Sequence, residues 1–294
     1  MERQNLAYIY AISAVLLWST VASAFKISLR HLDVWQLLFV SSLAACICLL
    51  CILIFQKKQS LLFELSRNNL IRLLGFGILN PFCYYLILLK AYALLPAQVA
   101  LALNYTWAIT LMLLSIPILK HKVNRSDLLA TVICYSGVVI ICFASNRPGA
   151  ASLSYTGVAL ALLSTLVWAL YWLCKTKDRI DAVAGLFVSF AFSVPFFSVS
   201  CFVFSDFSSL NTAGILGGIY LGFFEMGFSF VLWLLALQHT SSAANISTFI
   251  FMSPFLSLFM IQYIVDESIA NTTVYGLVLI ICGLFIQHKW QGAP

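Results

Sequence analysis

The sequence predicts an all-α membrane protein of ten transmembrane helices in two five-helix inverted repeats, with both termini in the cytoplasm. Three observations predict it: an apolar composition, ten apolar stretches of spanning length, and a weak internal repeat. Of the 294 residues, 62% are hydrophobic and only 9% are charged, and the mean hydropathy is +1.00. A soluble domain carries about 25% charged residues. This composition therefore excludes a cytosolic enzyme, a secreted disulfide scaffold and a nucleic-acid-binding protein.

The apolar stretches define the elements in order. A helix needs about 20 apolar residues to cross the hydrocarbon core of a bilayer. The stretches are 6–27, 35–55, 70–89, 97–119, 127–145, 155–174, 183–204, 212–237, 242–264 and 271–288. They leave short loops and no soluble domain. A secretory signal that ends at Ala22-Ser23-Ala24 is the alternative for the first stretch, but the stretch is long for a signal and the repeat needs this helix.

The basic residues predict the orientation, since cytoplasmic loops carry an excess of Lys and Arg. With the N-terminus in the cytoplasm, only four of the 16 basic residues face outward, namely Lys26, Arg30, Lys90 and Arg147. The other twelve face the cytoplasm. The sequence therefore predicts a multi-pass protein of the cell (inner) membrane with both ends inside, and the basic excess reports topology rather than an acidic partner.

The internal repeat relates the two halves. Three short matches recur at offsets of 145 to 150: Trp18 with Trp168, Leu38–Ser41 with Leu186–Ser189, and Gly75–Gly77 with Tyr220–Gly222. They predict one repeat over 5–146 and a second over 154–289. Because five spans is an odd number, the second repeat inserts upside down. Inverted repeats are typical of alternating-access transporters, which bind substrate near the midplane. Chance similarity among Leu-rich helices is the alternative.

Several segments resemble a known family. Ala14–Lys26 carries a Trp, small polar residues and then a Lys; Phe224–Gln238 is followed by Ser253-Pro254 and by Asp266–Ser268. These segments resemble the ten-helix, EamA-type branch of the drug/metabolite transporter superfamily, and Asn104–Trp107 is similar to a segment of its aromatic amino-acid exporters. The resemblance covers nearly the whole chain. It implies transport of small metabolites, since members of the superfamily move amino acids, nucleotide-linked metabolites, sugars and drugs.

Polar residues inside the spans are the first candidates for a substrate site, because such groups are costly in hydrocarbon. Glu225 is the only acidic residue deep in a span, and it suits proton coupling or a counter-ion for a substrate ammonium group. Asn80 lies 145 residues earlier, beside Pro81, and Tyr84 follows one turn later. A structural carboxyl and a simple packing kink are the alternatives.

Aromatic residues near the middle of their spans are the second group of candidates. Trp18, Trp168 and Trp172, together with Tyr105 and Trp107, could form an aromatic cage for aromatic or cationic solutes. Core packing is the alternative. The hydrogen-bonding groups that would complete the site are Asn104, Asn245 and Thr248.

These features predict a secondary active transporter rather than an enzyme. It would export small organic metabolites such as amino acids by alternating access, driven by the substrate gradient or by protons. No G-x-x-x-x-G-K-[ST] motif is present, so ATP is not the direct driver. We expect no cofactor, metal or nucleic acid, and a monomer, since the ridge Gly214, Gly218 and Gly222 suits packing within one chain. A membrane-embedded enzyme acting on a lipid-linked substrate and a passive channel are the alternatives.

Overall fold

The computed structural model describes residues 2–119, 125–144, 153–175, 178–207, 211–240, 246 and 248–291. The regular structure of these residues is helical throughout. Among them, eight helices are long and apolar enough to cross a membrane, and two shorter apolar segments are Asp127–Cys142 and Asn271–Ile286. The predicted all-α membrane fold is therefore confirmed, while the count of ten spans stays a prediction.

We number the helices in chain order. They are α1 (Glu2–Ser28), α2 (Val34–Phe55), α3 (Arg67–Leu94), α4 (Ala97–Ile118), α5 (Arg125–Ala144), α6 (Tyr155–Lys175), α7 (Ala182–Phe204), α8 (Thr212–His239), α9 (Thr248–Val265) and α10 (Asn271–Gln291). A short 3-10 helix, Gln59–Leu62, precedes α3.

The chain forms two compact units, and each unit takes segments from both halves of the sequence. The first unit comprises Met1–Leu86 and Asp178–Ser257, and the second comprises Ile87–Lys177 and Leu258–Pro294. The first unit thus contains α1, α2, α7, α8 and the first parts of α3 and α9. The compact units are therefore not the two sequence repeats.

Two helix crossings in the first unit are equivalent under the predicted repeat. Gly77 of α3 lies against α7, so closely that a Cβ would sit 2.6 Å from the Ser189 carbonyl oxygen and 3.1 Å from Ser193 Oγ. Gly222 of α8 lies against the Ser41 carbonyl of α2 in the same way. Small residues allow this close approach between helices. The matches found in the sequence therefore mark the two crossings.

The glycine ridge of α8 is used inside the chain. Gly214 contacts Leu32, Gly218 contacts Val40, and Gly222 completes the row against α2. A Cβ at Gly214 would lie 2.6 Å from Leu32 Cγ, and one at Gly218 would lie 2.8 Å from Val40 Cγ1. This packing agrees with the prediction that the ridge serves the monomer.

Both central helices of the first unit depart from α-helical geometry near their candidate site residues. The chain at Asn80 of α3 is extended (φ −143, ψ 117), and Pro81 follows without an amide hydrogen. The carbonyl of Gly77, four residues before Pro81, accepts instead from Ser193 Oγ at 3.0 Å. Helix α8 widens to π-helical geometry over Leu221–Phe228. The two irregular segments occupy corresponding positions of the predicted repeat.

The second unit has its own close crossing and its own helix cap. A Cβ on Gly276 of α10 would lie 2.6 Å from the Gly137 carbonyl oxygen of α5. Glu267 accepts from the N–H of Ala97 at 2.9 Å and from the side-chain amide of Gln98 at 2.9 Å. A carboxylate at a helix N-terminus satisfies otherwise unpaired N–H groups. Glu267 therefore caps α4.

Candidate functional site

The first unit holds a half-buried glutamate, Glu225, whose carboxyl is bound to a buried tyrosine. The Tyr85 hydroxyl donates to Glu225 Oε1 at 3.2 Å. Tyr85 is 0% exposed, and its ring packs edge-to-face against Phe25 and Tyr84, with centroids 6.4 and 4.9 Å away. Glu225 Oε2 is also buried and has no hydrogen-bond partner among the described residues. One oxygen is thus held, and the other is available to a ligand or a proton.

Asn80 is the second polar group of this unit. It is 1% exposed, and neither its side-chain oxygen nor its nitrogen has a hydrogen-bond partner in the part of the chain that the structure describes. Buried polar groups are nearly always hydrogen-bonded, so an unpaired one calls for an explanation. The amide of Asn80 and the free oxygen of Glu225 could both serve a bound solute.

The ion pairs that the described residues form do not involve Glu225. Lys58 pairs with Asp181 at 2.8 Å and Arg72 with Asp178 at 3.1 Å. Lys58, Asp178 and Asp181 lie just outside helices, and Arg72 lies in the second turn of α3. The central carboxyl is therefore not neutralised by a basic side chain of the described residues.

The sequence predicted Tyr84 as a residue of the substrate site and did not name Tyr85, which is the tyrosine that binds Glu225. The prediction placed Tyr84 on the face of Asn80 by α-helical spacing. The backbone is not α-helical from Ile78 to Cys83, so this spacing does not hold there. Pro81 was the signal that the spacing would change. Tyr84 is buried and contacts the ring of Tyr85.

The five predicted aromatic residues divide between the units. Trp18 lies in the first unit, where its ring contacts Phe230 and Trp233 of α8 at centroid distances of 5.9 and 5.4 Å. Trp168 and Trp172 lie in the second unit and contact each other at 5.7 Å. The two clusters have separate neighbours within their own units. A single cage drawn from both stays a prediction.

The second unit also contains Tyr171, an aromatic residue beside Trp168 that the sequence analysis did not name. Tyr171 stacks on Trp168 at 5.8 Å and is almost fully buried. Trp172 Nε1 is buried without a partner among the described residues. Helical spacing of Tyr171 with Trp168, three residues apart, could have indicated the contact.

The remaining candidates lie at breaks in helices. Helix α4 is interrupted after Asn104, and the Asn104 amide donates to Ser164 Oγ of α6 at 3.1 Å. Tyr105 lies in the interruption and Trp107 begins the helix again; both are half-buried. Thr248, also half-buried, begins the 3-10 turn of α9 in the first unit. Asn245 lies outside the described residues.

Asp181 lies outside the spans, where it stabilises the start of α7 and pairs with Lys58. It caps α7 by accepting from the N–H groups of Val183 and Ala184 at 3.0 and 3.1 Å. Partial burial by itself raises the pKa of Asp181, but the hydrogen bond and charge of Lys58 and the two N–H groups outweigh it. The net pKa therefore lies below its ordinary value. Its role here is structural.

Many membrane-spanning helices with unpaired polar groups inside the spans are typical of membrane transporters. The chain belongs to the EamA-like transporter family of the drug/metabolite transporter superfamily, and the family matches residues 5–143 and 155–287. The resemblance stated above is thus confirmed.

The similar proteins include two from Archaeoglobus fulgidus, each described as an uncharacterized transporter. One is 24% identical over 280 residues, covering 92% of this chain and 95% of the relative. The other is 22% identical over 281 residues, covering 94% and 95%. A protein of known crystal structure has the same fold, with a TM-score of 0.67 at 16% identity over 98% of this chain and 99% of the other.

Proposed function

We propose that this transporter is a secondary active exporter of small organic metabolites, such as amino acids or related compounds, in the inner membrane. It would work by alternating access, driven by the substrate gradient or by protons. The observation that carries the proposal is the Glu225 carboxyl, which is held by Tyr85 at one oxygen and whose other oxygen is buried without a partner among the described residues.

The unpaired oxygen of Glu225 is costly for the folded protein. A buried polar atom without a partner costs about 1–3 kcal/mol, and a charged one costs more. A carboxyl placed between apolar helices therefore lowers stability. A carboxyl inside a span is accordingly expected to serve substrate binding or coupling. Because Oε2 is buried, a solute reaches it only when the helices around it move apart, as alternating access requires.

The proposed topology has ten spans, two inverted repeats over 5–146 and 154–289, and both termini in the cytoplasm. The equivalent crossings at Gly77 and Gly222 support the repeat. Contacts between segments assigned to the same side support the alternation of spans: Asp33 with Ser205 at 2.9 Å, Lys58 with Asp181 at 2.8 Å, and Gln4 with Thr240 at 3.3 Å.

Counterflow in proteoliposomes tests the function. Vesicles preloaded with an unlabelled candidate solute should accumulate the labelled solute transiently, and the initial rate should saturate. Glu225→Gln should abolish or strongly reduce this accumulation, whereas Glu64→Gln, at an exposed carboxyl outside the spans, should not. Flux that rises linearly with concentration and shows no counterflow would identify a channel instead. A covalently altered lipid-linked solute found by mass spectrometry would identify an enzyme.

A further inference from the structure

The charge distribution around Glu225 restricts what can bind there. The stretches 4–25, 34–55 and 73–89, which include the interior of α1, α2 and α3, contain no Lys, Arg or His. From Ile180 to Gln287 the sequence contains no Lys or Arg at all, and His239, at the end of α8, is its one histidine. Apart from Lys26, which is half-buried in the last turn of α1, the interior of the first unit thus offers one carboxyl and no basic side chain.

Such an interior favours positive charge. Electrostatic attraction and repulsion are strong where water is excluded. A phosphate or carboxylate bound beside Glu225 would need an Arg or Lys to offset the repulsion, and apart from Lys26 these spans supply none. A protonated amine, in contrast, donates hydrogen bonds that a carboxylate oxygen accepts.

Two acceptors of the first unit have no hydrogen-bond partner among the described residues and suit that amine. Glu225 Oε2 is the unpaired acceptor, and the side-chain oxygen of Asn80 is a second unpaired acceptor in the same unit. The ring of Tyr85, whose hydroxyl holds Glu225, contacts the rings of Phe25 and Tyr84. Aromatic faces attract cations, adding to the preference for positive charge.

We propose that the transported solute carries a protonated amine that binds the free oxygen of Glu225, while Tyr85, as a positioning residue, holds the other oxygen. This inference rests on the proposed transport function and names the substrate class of that site. It excludes solutes whose charge is wholly negative, such as phosphate esters and simple carboxylates.

Matched probes that differ only in charge test the substrate class. Tryptamine, indole-3-acetate and 3-methylindole share a ring, and butylamine, butyrate and butanol share a short chain. Purified full-length protein in detergent is melted with each probe, since a ligand that binds only the folded state raises the melting temperature. We expect at least one amine to raise it in a saturable manner, and its acid and neutral counterparts not to do so.

Variants then tie the effect to the site. Glu225→Gln should abolish the stabilisation by the amine. Tyr85→Phe should raise the half-saturating amine concentration by about tenfold, the effect of losing one hydrogen bond to a charged group. In counterflow with the labelled amine, Tyr85→Phe should change the half-saturating concentration more than the maximum rate. Glu64→Gln should bind the amine as the wild type does.

The outcomes separate the two proposals. If neither amine stabilises the protein more than its matched acid, or if Glu225→Gln binds the amine normally, the amine assignment is overturned. If Tyr85→Phe lowers only the amount of folded protein and leaves the half-saturating concentration unchanged, the positioning role is overturned. A stabilising amine that shows linear flux without counterflow would contradict the transport function and leave the binding site in place.

Discussion

Gly77 lies directly against the backbone of Ser189, so that a Cβ on Gly77 would sit 2.6 Å from the Ser189 carbonyl oxygen. The corresponding pair in the repeat, Gly222 and Ser41, makes the same close contact between α8 and α2. Each crossing joins a helix from one half of the sequence to a helix from the other. Helices from the two halves of the sequence therefore pack closely against each other within the first unit.

Replacing Gly77 by alanine should lower thermal stability, because the added methyl group has no space at this crossing. Overpacking of a core typically costs about 1–3 kcal/mol. Melting of the purified protein measures the loss. Gly75→Ala is the matched control, since a Cβ at Gly75 meets nothing within 4 Å. An equal melting temperature for both variants would contradict the close crossing.

The hydroxyl of Ser193 should stabilise the bend in α3. It donates to the Gly77 carbonyl, which Pro81 cannot serve. Ser193→Ala leaves that buried carbonyl short of a donor, and we expect a loss of about 1–3 kcal/mol. Ser136→Ala, at an exposed serine bonded only within its own helix, should be nearly neutral in the same melting experiment. A neutral Ser193→Ala would show that the carbonyl finds another donor.

Glu225→Leu should destabilise the protein, whereas Glu225→Gln should not. Leucine removes the acceptor of the buried Tyr85 hydroxyl, at a cost of about 1–3 kcal/mol, while glutamine keeps an oxygen of the same shape. The pH dependence of transport in proteoliposomes is the second measurement. Glutamine cannot ionise, so its profile should be flatter than that of the wild type. Superimposable profiles would assign Glu225 a packing role.

Asp181 should make stability depend on acidity. Its pKa is lower in the folded protein than in the unfolded chain, so the unfolded chain binds the proton more readily. The stabilising contribution is full above the unfolded pKa of about 3.9 and disappears as the pH falls through the folded value. Because Lys58 is partly exposed, its pairing with Asp181 should contribute at most about 1 kcal/mol.

Melting temperatures of the wild type and of Asp181→Asn, measured across acidic pH, check this expectation. The difference should be largest near neutral pH and shrink as the solution becomes acidic. A difference that grows on acidification would mean that the sign of the pKa shift is wrong.

The C-terminus should face the cytoplasm. The motive is that only four basic residues fall on the outer side in the ten-span arrangement, Lys26, Arg30, Lys90 and Arg147. A reporter fused after Pro294 should be active if it functions in the cytoplasm and inactive if it functions only outside. The opposite pattern would contradict an even number of spans with the N-terminus inside.

The sequence by itself determined the all-α membrane fold and the transporter family, and it singled out Glu225 as a lone carboxyl within a span. Each of these depends on local information: hydropathy accumulates along a span, and a charged residue inside it is visible without knowing its neighbours. The glycine and serine matches between the halves were also visible, and they mark real crossings at Gly77 and Gly222.

Only the tertiary structure decided which side chains meet. Tyr85, which the sequence did not single out, donates to Glu225, and the non-helical backbone at Asn80 removes the regular spacing by which Tyr84 was placed beside Asn80. The Ser193 donor and the two compact units depend in the same way on how helices far apart in sequence rotate and pack. The pattern of apolar residues shows that a helix can span the membrane. The rotation of that helix about its axis depends on contacts with neighbouring helices, which the pattern does not specify.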